Sequence, residues 1–128
     1  LKLLFNVRYP VTWKGQQVQQ ACTDHLAALK SGWKLAEMED SASLYFPIDH
    51  PLVQTICDVV REETGESRAP GVMGGGTYAR AIPNTVSIGT GWAGDGDAHE
   101  NYERVKIEHL YKMSLIYAHV LYRLAKLA

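Results

Sequence analysis

The chain reads as an α/β (α+β) fold, and three features of the sequence predict it. Residues 48–128 run helix, strand, short helix, strand, loop, helix, the alternation expected of helices packed on a mainly parallel sheet. Residues 1–47 run strand, helix, strand, strand, an incomplete α+β unit. Between the two, Pro47-Ile-Asp-His-Pro51 places two prolines close together, a spacing that rarely fits inside one element. A domain boundary is therefore expected between residues 47 and 48. Neither half closes on itself, and the chain opens at Leu1 inside a predicted strand, so the expectation is a fragment of a longer protein.

Each element has a local reason. From Leu3 onward, Leu3, Phe5 and Val7 fall on one side with Asn6 and Arg8 on the other, a strand pattern that Pro10 ends because it has no N–H to donate. A helix is predicted from about Gly15 to Lys30, with Val18, Ala21, Cys22, Leu26 and Leu29 at three- and four-residue steps and Ser31-Gly32 as the stop. Short strands are predicted at 33–38 and 43–46. From Leu52 to Glu63 the positions Leu52, Val53, Ile56, Val59 and Val60 give a second helix, closed by Thr64-Gly65. Ala69–Met73 reads as a strand, Gly74-Gly-Gly76 as a turn, Thr77–Ile82 as a helical turn or two, and Thr85–Ile88 as another strand. A Gly/Asp-rich loop follows over 89–104. The last helix is expected to turn Leu110, Met113, Tyr117, Val120, Leu121 and Leu124 to one face.

Composition narrows the function classes. The chain has 128 residues, a net charge of −1, 46% hydrophobic and 21% charged residues, which describes a globular chain and offers no basic run to a nucleic acid or a membrane surface. No stretch is long and apolar enough to span a bilayer. Cys22 and Cys57 form no CxxC motif, and with no signal peptide in view the expectation is two reduced thiols in a cytoplasmic protein.

Three constellations carry potential chemistry. In Gly94-Asp-Gly-Asp-Ala-His-Glu-Asn-Tyr-Glu103, an imidazole at His99 sits among carboxylates able to orient it as a metal ligand. The plain alternative is a solvated loop in which Asp97 and Glu100 cap the next helix. In Gly74-Gly75-Gly76-Thr77-Tyr78-Ala79-Arg80, glycines let backbone N–H groups approach an anion, and Arg80 adds a fork-shaped donor. The alternative there is a tight turn with a surface arginine, and no nucleotide-binding motif is present. In Asn6-Val-Arg8-Tyr-Pro10, Asn6 and Arg8 share the polar face of the predicted strand, which would hold the arginine toward a ligand or simply toward solvent.

These pieces, with Asp49-His-Pro-Leu-Val53 and Ile116-Tyr-Ala118, occur in an order that resembles the carboxy-terminal portion of zinc-dependent dipeptidases of the aminoacylase/carboxypeptidase superfamily. The bacterial Xaa-His (carnosine-cleaving, PepV-like) type is the nearest resemblance. It covers nearly all of the chain and about the last quarter to third of such an enzyme. The resemblance implies that 1–47 is the second half of a ferredoxin-like lid domain and 48–128 the carboxy-terminal half of a catalytic α/β sandwich. It implies that His99 is the last ligand of a two-zinc centre, with manganese or cobalt as alternative metals. It further implies that Arg8 reaches the substrate carboxylate from the lid and that Gly75, Gly76, Thr77 and Arg80 line the pocket, with Glu103 as a supporting partner. The remaining zinc ligands and the general-base Glu belong upstream, so no catalytic base is expected here and the fragment is expected to be inactive alone. Partners implied are a dipeptide, the amino-terminal remainder of the enzyme and a second copy in a homo-oligomer. Ahead of His99 the run Gly91-Trp-Ala-Gly-Asp-Gly-Asp97 departs from the Pro-Gly-x-Pro sequence of close relatives, which leaves the preferred dipeptide open. The competing reading is a non-catalytic module that dimerises through an exposed strand edge.

Overall fold

A computed structural model describes residues 1–89 and 91–127. Thr90, inside the expected glycine-rich loop, lies outside the described residues. The chain divides into two units, one formed by Leu1–Tyr45 with Gly74–Pro83, the other by Phe46–Met73 with Asn84 onward.

In the first unit, α1 spans Gly15–Ala28. Its start is marked by the Gln17 side chain, which reaches back to accept from the Lys14 N–H at 2.8 Å, while the Gln17 N–H donates to the Lys14 carbonyl at 2.9 Å. Lys30 and Gly32 then take positive φ (50° and 80°), so the backbone leaves the helix where Ser31-Gly32 was expected to stop it. Gly15 is buried against Asp40, whose carboxylate occupies the space a Cβ would need. The Tyr9 hydroxyl donates to that same carboxylate, which raises the Tyr9 pKa chiefly through this hydrogen bond. Val18 and Ala79 are the buried apolar residues of this unit, while Cys22 and Leu26 are half-buried and Leu29 is exposed.

The second unit holds a helix pair. In α2, Pro51–Thr64, Pro51 occupies the first turn, where its missing N–H costs nothing, and the His50 imidazole caps the helix by accepting from the Leu52 N–H at 3.2 Å. Gly65 ends it in the left-handed conformation (φ 72°). The predicted stripe is the buried one: Val53 and Val59 are inside, with Leu52, Ile56 and Val60 half-buried. A single turn of 3₁₀ helix, Tyr78–Ala81, stands where a helical turn was expected. The last helix, α3, spans Ile107–Leu127 and packs on α2 through Val59, Ile116 and Val120, which are 0%, 1% and 4% exposed. Arg123–Glu62 and His119–Glu63 pairs flank that seam.

Two expectations need correction. The inward face of α3 is His109, Met113, Ile116 and Val120, whereas Leu110, Tyr117 and Leu121 are 51%, 40% and 66% exposed. The apolar residues of α3 are spread over more than one stripe, and contact with α2 selects one of them. The second correction concerns the strands. The segments at 1–9, 33–38, 43–46, 69–73 and 85–88 form no strand among the described residues. Alternation describes the two faces of an extended segment. A strand also needs a second segment about 4.8 Å away with which to form a ladder, and these segments form no ladder with one another among the described residues. The regular structure of the described residues is helical.

Candidate functional site: the His99 loop

The segment between Trp92 and α3 is built around one carboxylate. Trp92 and Asp95 close a turn through the Asp95 N–H to the Trp92 carbonyl (3.1 Å), with Gly94 at φ 89° supplying the left-handed residue. The Asp95 side chain, 8% exposed, then gathers three donors. Its Oδ2 accepts from the Trp92 N–H at 3.2 Å, and its Oδ1 accepts from the Lys106 N–H at 3.0 Å and contacts His109 Nδ1 at 2.8 Å. The Lys106 N–H first, then the His109 and Trp92 hydrogen bonds, pull the Asp95 pKa down to about 2 against the opposing effect of burial. An ionised carboxylate only accepts, so Nδ1 of His109 carries the proton of that bond. The Trp92 ring lies 5.2 Å from the His109 ring, tilted by 39°.

Beyond Asp95 the loop closes on itself. Gly96 N–H donates to the Arg104 carbonyl at 2.8 Å, and a Cβ on Gly96 would lie 2.9 Å from both Arg104 N and Tyr102 O, so only glycine permits this approach. His99 sits at the exposed crown with φ 67°, its N–H held by the Glu103 carboxylate at 3.1 Å. The His99 imidazole makes no hydrogen bond or ion pair with the described residues. An open polar recess of about 640 Å³ adjoins the loop at Asp97, Glu100, Asn101, Tyr102 and Arg104. A non-glycine residue in the left-handed region is strained, and such strain concentrates where a side chain is being presented. Asp97 and Glu100 stay within the loop, through Glu100 N–H to the Asp97 carbonyl, and do not cap α3.

The other expected site residues, Arg8, Gly75, Gly76, Thr77 and Arg80, lie in the first unit. There the structure sets Arg8 beside the turn: a Cβ on Gly74 would stand 3.5 Å from its Nη1. Arg80 is already engaged, with Nε and Nη2 donating to the Ala42 carbonyl at 3.2 and 2.8 Å and Nη2 also to Ser41 Oγ. Its Nη1 faces Gly76 at 3.2 Å from a notional Cβ. Gly75 lies in an exposed bend, and the Thr77 carbonyl accepts from the Arg80 N–H at 3.1 Å. Among the described residues, no group of three or more His, Cys, Asp or Glu comes together as a metal cage. For His99 the chemistry of the donor still fits a metal: an exposed, uncommitted imidazole whose backbone is braced by a carboxylate.

The Asp95–His109 pair went unseen in the sequence, where His109 is a surface or packing residue of the last helix. The one available signal was an Asp in a Gly-x-Gly turn shortly before a helix bearing a histidine in its first turn, which is too common to select.

Comparison with known proteins follows the same residues. The profile of peptidase family M20/M25/M40 matches residues 6–123. The chain is 33% identical over 126 residues to "Putative dipeptidase YtjP" of Bacillus subtilis (strain 168), covering 98% of this chain and 26% of that protein. It is 28% identical over 125 residues to "Putative dipeptidase SSP1012" of Staphylococcus saprophyticus, covering 96% and 26%. The chain thus spans about a quarter of the length of the curated relatives it matches. No solved structure matches it. Peptidases of this family generally depend on metal ions. With the match extending from the first predicted strand to the last turns of α3, the chain belongs to peptidase family M20/M25/M40.

Proposed function

We propose that this chain is the carboxy-terminal portion of a zinc-dependent dipeptidase of the Xaa-His type, working in the cytoplasm and inactive without the remainder of the enzyme. The observation that carries the reading is the family match across residues 6–123, which includes the exposed imidazole of His99. In this reading residues 48–128 complete a catalytic α/β sandwich and 1–47 complete a lid. The extended segments pair with strands from the other three quarters of the polypeptide.

Within the assembled enzyme His99 would hold zinc through its imidazole, while Glu103 fixes the backbone that aims it. When bound, zinc supplies Lewis acidity toward the peptide carbonyl and toward water. The Arg8 guanidinium, which has no partner among the described residues, would hold the substrate's terminal carboxylate and so limit substrates to short peptides. Gly75, Gly76 and Thr77 would border the pocket, and the engaged guanidinium of Arg80 would stiffen it, with Nη1 left for substrate. The general base and the other metal donors would come from the rest of the enzyme.

The test is reconstitution of zinc-dependent hydrolysis of β-Ala-His and a panel of other dipeptides from this chain and its amino-terminal complement. Activity that needs both pieces, and that His99→Ala abolishes, is expected. Full activity in His99→Ala would remove the ligand assignment. Cleavage of other dipeptides but not β-Ala-His would remove only the Xaa-His preference.

A further inference from the structure

We propose that Asp95 and His109 are positioning residues for the metal-bearing imidazole: the buried carboxylate ties the entry of the His99 loop to the first turn of α3, and His109 locks that tie. The inference rests on the reading of His99 as a metal ligand, and it concerns a pairing of residues that the sequence motifs do not bring together.

Three observations carry it. The donors that converge on Asp95 come from both ends of the loop, Trp92 on one side and Lys106 with His109 on the other. A carboxylate can satisfy all three at once because each oxygen offers two lone pairs. A loop closed this way has its ends fixed to one small group, and the Gly96–Arg104 bond closes it a second time just beyond. Next, the pair is almost fully buried, at 7% and 8% side-chain exposure, in a stretch whose other charged residues are exposed. Buried polar groups must be hydrogen-bonded, so the loop base has one satisfied arrangement and shifting it would orphan several groups together. Finally, His109 lies on the buried side of α3 with Met113, Ile116 and Val120, and Ile116 and Val120 pack with Val59 of α2. The loop is thereby tied to the helix that carries the buried seam of its unit. Metal sites need ligands held to a fraction of an ångström, and partners one step removed from the metal commonly govern affinity.

The experiment uses the full-length enzyme that contains this segment, loaded with Co²⁺ as a spectroscopic probe. Affinity is read by chelator competition and ligand geometry by the visible absorption bands. Asp95→Asn is expected to weaken Co²⁺ binding roughly 10- to 100-fold and to alter the bands. His109→Leu is expected to do the same, whereas His109→Asn, which keeps an N–H where Nδ1 stood, is expected to restore most of the affinity. Asp95→Asn with a lowered melting temperature but unchanged affinity and bands would overturn the proposal and leave the pair a purely structural tie. Should Asp95→Asn not fold, the contrast between His109→Leu and His109→Asn decides, and equal affinities for those two would also overturn it. His99→Ala with wild-type bands would instead refute the ligand reading beneath the proposal, a result separable from the others.

Discussion

Replacing Ile116 by alanine probes the α2–α3 seam directly. Ile116 is 1% exposed and touches Val59 and Val120, which are themselves 0% and 4% exposed. The substitution removes three carbons from an almost fully buried site. At about 0.8 kcal/mol per buried methylene the transfer loss alone is roughly 2.4 kcal/mol. An unrelaxed cavity adds to this, which places the expected loss near 3–4 kcal/mol, inside the roughly 2–5 kcal/mol observed for such truncations. Leu121 is the matched control, one residue beyond Val120 but 66% exposed, so Leu121→Ala should stay within about 0.5 kcal/mol. Urea denaturation of the 128-residue chain, followed by circular dichroism at fixed protein concentration, measures both. A Leu121→Ala loss equal to or larger than that of Ile116→Ala would refute the packing face assigned to α3.

Three further outcomes follow from local geometry. Asp95 titrates at about 2 against an ordinary value of 3.8, so its ionised form stabilises the fold above about pH 4 and that contribution is lost as pH falls from about 4 to 2. The stability gap between wild type and Asp95→Asn should therefore be constant at neutral pH and narrow as pH falls from about 4 through 2, and a gap that is the same at about pH 2 as at about pH 7 would contradict the assignment. Gly65→Ala should cost about 1–2 kcal/mol, because φ is 72° and a Cβ meets no neighbour, so only backbone strain is at stake. Gly65→Asn should recover part of that loss in the same denaturation assay. His50→Ala removes the acceptor for the Leu52 N–H and should lower stability by about 1 kcal/mol, whereas a loss below about 0.3 kcal/mol would show that the cap is unused.

Much of the helical architecture was legible in the sequence because helices are local. The i, i+3, i+4 spacing of Leu52, Val53, Ile56, Val59 and Val60, with Pro51 before it and Gly65 after it, marked α2 to within a residue at each end. The exposure of His99 was legible too, since a histidine among glycines and carboxylates needs no distant partner to be exposed. The strands were not, because a ladder is a property of two segments and one-dimensional alternation names only one of them.

What the sequence determined by itself, then, is the set of helices, their stops, and the order of motifs that marks the family. Which stripe of α3 is buried was decided only by tertiary structure: Leu121 and Ile116 are equally apolar, and contact with Val59 distinguishes them. The same holds for the Asp95–His109 pair. Its two residues stand fourteen positions apart, and only the return of the chain through Gly96 and Arg104 to the start of α3 brings a carboxylate and an imidazole to 2.8 Å with little of either side chain exposed.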